Sequence, residues 1–136
     1  MLNDPYTAWP KDVRDDLEAG RMNGCVGTAL VSETERVRIW NLRIPAAGRF
    51  GFHRHVLNYF WTALNSGRTR NYFEDGRIVD ADVAEGQTQH KNFADGEFMV
   101  HSVENLSPHD LCYTTVEFLD SPNAPLPLPD RVRRKP

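Results

Sequence analysis

GRFGFHRHVLNYFWTAL, residues 48–64, packs aromatic and aliphatic side chains around two histidines one residue apart. Strand side chains alternate between faces. Read as one extended segment over 53–64, the stretch places His53, His55, Leu57, Tyr59, Trp61 and Ala63 on one face and Arg54, Val56, Asn58, Phe60, Thr62 and Leu64 on the other. Both faces are largely apolar, which predicts a wall packed inside a sandwich or barrel. The His53-x-His55 pair by itself has two readings. It is either half of a metal site or two polar residues on a wet face, and the second is the more common.

The flanking sequence has the same β texture. VGTALV (26–31), RVRIWNLRI (36–44), EFMVHSVEN (97–105) and LCYTTVEFL (111–119) read as strands. Val37 and Ile39 alternate opposite to Trp40, Leu42 and Ile44, so either both faces of that strand are half-buried or a bulge shifts the register near Trp40. Residues 69–83 read as a hairpin with a two-residue type I′ turn at Asp75-Gly76. Residues 86–96 read as polar and irregular. PKDVRDDLEAG (10–20) predicts a short helix, with Pro10 early, Val13 and Leu17 four apart and Gly20 at the exit. Residues 121–136 begin with four prolines in eleven residues and read as an extended tail. The resulting division is an N-terminal arm with a short helix (1–24), an all-β domain (25–120) and a Pro-rich basic tail (121–136).

A chain of 136 residues suits one domain. Lys and Arg number 16 against 19 Asp and Glu, and four of the basic residues lie in RVRRKP (131–136), so residues 1–130 carry −7. An acidic body argues against nucleic acid as partner, and a solvated, frayed terminus is the expectation for the tail. No run approaches the roughly 18 apolar residues of a membrane span, and MLNDPYTAWPKD lacks a signal-peptide pattern, so no membrane partner is expected and the cytoplasm is the expected location. Cys25 and Cys112 read as small apolar residues, not a disulfide framework.

His101 shares a strand face with Met99 and Val103. If its strand neighbours that of His53 and His55, three imidazoles converge, and three neutral imidazoles suit Zn, Fe, Ni, Mn or Cu. Gly48, His53, His55, Gly67, His101 and Asn105 together resemble the two motifs of the cupin superfamily, G-x5-H-x-H-x3,4-E-x6-G and G-x5-P-x-G-x2-H-x3-N. The likeness runs over roughly residues 25–120 and is to small single-domain bacterial cupins. It implies a jelly-roll β-barrel of six to eight strands with His53, His55 and His101 at its mouth, and a homodimer. The chain departs from the pattern in three places. Four residues, not five, separate Gly48 from His53. The metal-ligand glutamate is replaced by Tyr59 or Phe60, alternation favouring Tyr59. The second motif lacks its proline, and its glycine, read at Gly86, lies 15 residues before His101 where the pattern expects 11.

Three functions come from this reading, in order. The first is a metal-dependent lyase, isomerase or dioxygenase on a small carboxylate, keto or enol substrate, with a divalent ion on His53, His55 and His101 and Tyr59 as catalytic group. The second is a metal-free pocket that binds or acid/base-processes a small anion through the same histidines, with Tyr59 and Arg54 beside them. The third is a non-enzymatic sensor or structural protein. Trp61 and Met99 are expected to fill the barrel, and Asn105 to hold a turn. His109 is expected to be exposed. Glu117 is expected to face solvent or a subunit, with Val116 and Phe118 toward the core; in the alternative its face is the inner one and it replaces the missing carboxylate from another strand. The placement of His90 is open.

Overall fold

Nine strands, one α-helix and a short 3-10 helix (Asp130–Val132) make up the regular structure of residues 4–133, the part of the chain that the computed structural model describes. The helix α1 spans Lys11–Gly20, and the strands are β1 (Ala29–Glu33), β2 (Val37–Ile44), β3 (Arg49–His55), β4 (Tyr59–Ala63), β5 (Gly67–Phe73), β6 (Ile78–Val83), β7 (Thr88–Lys91), β8 (Met99–Asn105) and β9 (Leu111–Phe118). They form two antiparallel sheets in the orders β1-β2-β9-β4-β7 and β3-β8-β5-β6. This is a jelly-roll sandwich. It does not close into the expected barrel: among the described residues β1 and β7 remain edges of one sheet, and β3 and β6 edges of the other. No helix among the described residues is long and apolar enough to cross a membrane.

The stretch from 53 to 64 is not one strand. β3 ends at His55, residues 56–58 cross from one sheet to the other, and β4 begins at Tyr59. The crossing is held at Asn58, whose carbonyl accepts the Phe118 N–H (2.8 Å) and whose own N–H donates to Ser121 Oγ (3.0 Å). Val56 and Leu57 are buried within it, which is why the sequence looks apolar without a break.

β2 alternates strictly, with Arg38, Trp40, Leu42 and Ile44 inward. The bulge offered as one of the two readings near Trp40 lies on its partner: Leu30 pairs with Trp40 and Ser32 with Ile39, leaving Val31 as the extra residue of β1. The β5–β6 turn is a three-residue loop, Glu74–Gly76, between Phe73 and Arg77, not a two-residue type I′ turn. Gly76 N–H bonds to Phe73 O (2.8 Å) and its φ of +98° requires glycine. Residues expected to be irregular supply β7, which pairs with β4.

Val13 and Leu17 of helix α1, with Trp9 just before it, are buried against Phe52, Tyr72 and Val100 on the outer face of the four-stranded sheet. Gly20 is there because the helix touches β3: a Cβ would come within 2.3 Å of Phe52 Cβ. The C-terminal segment is not frayed up to Arg133. Val132 is buried, Arg133 bridges to Leu30, and Arg38 donates to Leu126 O (3.2 Å). Residues 134–136 of the basic tail lie outside the described residues.

Asn105 ties the ends of the two sheets together. Its Nδ2 donates to Ile44 O (3.1 Å), Pro45 O (3.2 Å) and His109 O (2.7 Å), and its Oδ1 accepts the Ser107 N–H (2.9 Å). Asn105→Ala would remove these four hydrogen bonds, with Pro45 O keeping only the Gly48 N–H (2.8 Å), and a buried unsatisfied group costs about 1–3 kcal/mol. The variant is expected to lose about 3 kcal/mol in denaturant unfolding; a loss below about 1 kcal/mol would contradict this role.

Candidate functional site

The β3–β8 ladder brings the histidines together. His53 stands directly opposite His101, and His55 opposite Met99. The ring centroids are 4.6 Å apart for His53–His101, 4.9 Å for His53–His55 and 5.2 Å for His55–His101. One ring nitrogen from each lies within 4.8 Å of the others. His55 and His101 approach through their Nε2 atoms at 3.3 Å.

A β-bulge aims the first of them. Phe50 pairs with Val103 and the next pair is His53–His101, so β3 carries one extra residue around Gly51. Asp16 of α1 fills the bulge: its Oδ2 accepts the Phe52 N–H (2.8 Å) and an Arg49 N–H (3.1 Å). A Cβ on residue 51 would meet that oxygen at 2.7 Å, so any other residue would displace the Asp16 carboxylate from the bulge. The Gly51 carbonyl then accepts from His53 Nδ1 (2.9 Å). A carbonyl only accepts, so Nδ1 carries the proton and Nε2 is left as a lone pair. Sequence reasoning misses Asp16 and Gly51; the glycine inside a strand pattern is the available signal.

The other rings are less fully satisfied. His55 Nδ1 and His101 Nδ1 are buried without a hydrogen-bond partner. Burial is the main cause that holds all three imidazoles neutral, with the charges of neighbouring histidines and Lys91 adding to it at His55 and His101. The His53 pKa falls to about 4, and those of His55 and His101 fall well below 6.5. Neutral imidazole is the form that ligates. The residues therefore fit a divalent ion: three neutral nitrogens converge, ring nitrogens lack partners, and 3.3 Å is roughly the spacing of two nitrogens around one tetrahedral ion with bonds of about 2.0–2.1 Å.

Tyr59 reaches this cluster from the opposite sheet. Its ring stacks on His55 at 4.1 Å, and among the described residues its hydroxyl has no hydrogen-bond partner. Burial, then the charge of Glu117, holds the phenol protonated well above its ordinary range. Phe60 points out of the sandwich, packed on His90 (5.2 Å) and Phe118 (6.0 Å), which places His90 outside the pocket as well. Arg54 also lies outside it, with its guanidinium 3.7 Å from the Phe98 ring centre. His109 bonds to Ser66 O (2.7 Å) far from the cluster.

Glu117 is the clearest reversal. It is buried at 3% exposure, while Val116 and Phe118 lie on the outer face. It stands opposite Tyr59 in the β4–β9 ladder, and its Oε1 accepts Trp40 Nε1–H (2.8 Å). Desolvation raises its pKa to about 7. A carboxyl that titrates near 4.5 unfolded and near 7 folded binds the extra proton in the folded state, so stability falls as pH rises through that window. The loss is on the order of 3 kcal/mol by pH 8. Glu117→Gln keeps a neutral group of the same shape. It is expected to match the wild type in unfolding at pH 5 and to exceed it at pH 8 by about 1–3 kcal/mol; equal stability at pH 8 would show that the carboxyl is not held neutral.

The cavity between the sheets has a volume of about 300 Å³ and is lined by the three histidines, Tyr59, Trp61 and Lys91 among others. Trp61 and Met99 both face it. No protein-family model matches the sequence, and no curated protein matches it. Solved structures do. A cupin-domain protein from Bordetella pertussis is 24% identical with a TM-score of 0.57, over 64% of this chain and 85% of that one. A cupin-family protein with a double-stranded β-helix fold from Methanocaldococcus jannaschii is 17% identical with a TM-score of 0.51, over 64% of this chain and 73% of that one. A Bacillus halodurans protein is 15% identical with a TM-score of 0.52, over 70% of this chain and 74% of that one. The fold is the cupin fold, and the histidine cluster sits between its two sheets.

Proposed function

We propose that this protein is a small metal-dependent cupin enzyme of lyase, isomerase or dioxygenase type, acting on a small carboxylate, keto or enol substrate. The observation that carries this reading is the convergence of His53, His55 and His101, all neutral and with His55 Nδ1 and His101 Nδ1 unpartnered, on a cavity large enough for a small molecule. These three would hold the ion, whether Zn, Fe, Ni, Mn or Cu, and such an ion supplies Lewis acidity toward a carbonyl or carboxylate oxygen. The chain's own residues do the rest. The Tyr59 hydroxyl donates a hydrogen bond that orients the substrate and holds a proton at that oxygen. Trp61, Val83 and Met99 line the cavity and keep its interior dry. With no carboxylate among the ligating residues, the coordination set is neutral and binds the ion less tightly than one that includes glutamate.

Metal analysis after reconstitution tests the reading: about one ion per chain is expected, and none with any of the five metals would end it. One observation favours a second reading, a metal-free acid/base pocket. The 3.3 Å contact of His55 Nε2 with His101 Nε2 is a hydrogen bond in its own right, one ring donating and the other accepting. Turnover that survives exhaustive chelation would select this reading.

A further inference from the structure

We infer that Lys91 is the anion-anchoring residue of this pocket and that the ligand is a monocarboxylate with a short apolar body, entering between the edge strands β6 and β7. The inference rests on the cavity being a ligand site, as proposed above, and does not require the metal.

Alternation on β7 turns Lys91 and Gln89 inward. Lys91 stands opposite Tyr59 and Gln89 opposite Trp61, and all four line the cavity. Thr88 faces out, bonded through its hydroxyl to Thr62 (2.8 Å). Among the described residues Lys91 makes no ion pair. The acids nearby are engaged elsewhere: Asp82, at the mouth, pairs with Arg68 (2.9 Å), Asp80 pairs with Arg70 (2.8 Å), and Glu117 lies on the far strand bonded to Trp40. A half-buried ammonium thus lines the same cavity as the three imidazoles with no compensating anion among the described residues. A bound divalent ion would increase the positive surplus. An anionic ligand corrects it, and a carboxylate on an ammonium makes a charge-assisted hydrogen bond.

The remaining walls limit the body that the carboxylate can carry. Phe73, Val79, Val83 and Met99 are apolar, and the volume of about 300 Å³ is at the small end for ligand pockets. The entry is set by the topology. β6 and β7 are both edge strands, joined by only four residues, 84–87, and both contribute lining residues, including the exposed Val79 and Gln89.

Hexanoate and its uncharged isostere hexanamide, titrated calorimetrically into the purified protein and into the same protein after chelation, test this. Hexanoate is expected to bind at least about tenfold more tightly than hexanamide in both samples. Lys91→Met is expected to weaken hexanoate by about tenfold or more and to leave hexanamide unchanged, and Lys91→Arg to retain most of the preference. Hexanoate binding no tighter than hexanamide in the wild type, including no binding of either, overturns the inference without any variant. So does a Lys91→Met protein whose hexanoate affinity stays within about twofold of the wild type. A chain that retains no metal but keeps the Lys91-dependent preference would refute the metal reading alone.

Discussion

His101→Ala is expected to retain no metal under conditions where the wild type holds about one ion per chain. His101 is the ligand that β8 would contribute, opposite His53 and 3.3 Å from His55. Without it, two imidazoles on one strand remain, and no carboxylate replaces the third. Loss of a partner that only supports a ligand costs about 10–100-fold in metal affinity, so loss of a ligand should cost more. The readouts are metal content after gel filtration and thermal unfolding with and without added ion. An ion present at about 100 times its dissociation constant stabilises the wild type by about 2.7 kcal/mol, or roughly 10 °C, and should leave His101→Ala unmoved. His90→Ala is the control: that ring packs on Phe60 outside the pocket, and the variant should keep its metal and its thermal shift. Retention of a full equivalent by His101→Ala would place the ion elsewhere.

Trp40→Ala is expected to be the most destabilising single truncation. Trp40 is fully buried in β2, packed among Cys25, Val26, Leu30 and Val132, and the backbone at Gly27 comes so close that a Cβ there would meet Trp40 Cβ at 2.6 Å. Removing an indole from such a site costs about 3–5 kcal/mol. The change also strips Glu117 of its hydrogen bond, about 1 kcal/mol more. A domain of this size has about 5–15 kcal/mol in total. Trp40→Phe keeps most of the packing and loses the N–H, so about 1–2 kcal/mol is expected. Urea unfolding at pH 7 measures both; a loss under about 2 kcal/mol for Trp40→Ala would mean that the surrounding segment collapses into the space.

Acid should weaken the metal-free protein, for a reason set by the same burial. The three histidines take up protons near pH 6.5 when unfolded and only well below that when folded. Their contribution is present above pH 6.5 and is lost as the pH falls, opposite in sign to that of Glu117.

Much of the fold is legible because strands write themselves in the sequence with a period of two. The positions of β1, β2, β8 and β9, the short helix, the glycine at 76 and the three histidines follow from residue type and alternation. The placement of Tyr59 shows the limit of that reasoning. Alternation puts it on the histidine face as if residues 53–64 were one strand. The chain in fact crosses between sheets at 56–58, and Tyr59 meets His55 from the opposite wall because odd-numbered residues point inward on both sides of the crossing. Glu117 misleads because a charged side chain on a strand is usually a surface one. Its burial depends on Trp40, 77 positions away.

The sequence by itself determined the β architecture, the resemblance carried by HRH and HSVEN, and the absence of a carboxylate in the expected ligand slot. These are local properties of residue type and spacing. Only the tertiary structure decided that the sheets stay open, that Asp16 and Gly51 aim His53, that Glu117 is buried, and that Lys91 lines the cavity with no ion pair among the described residues. Each of these depends on which strands become neighbours, and strand pairing is set by packing between segments far apart in the chain.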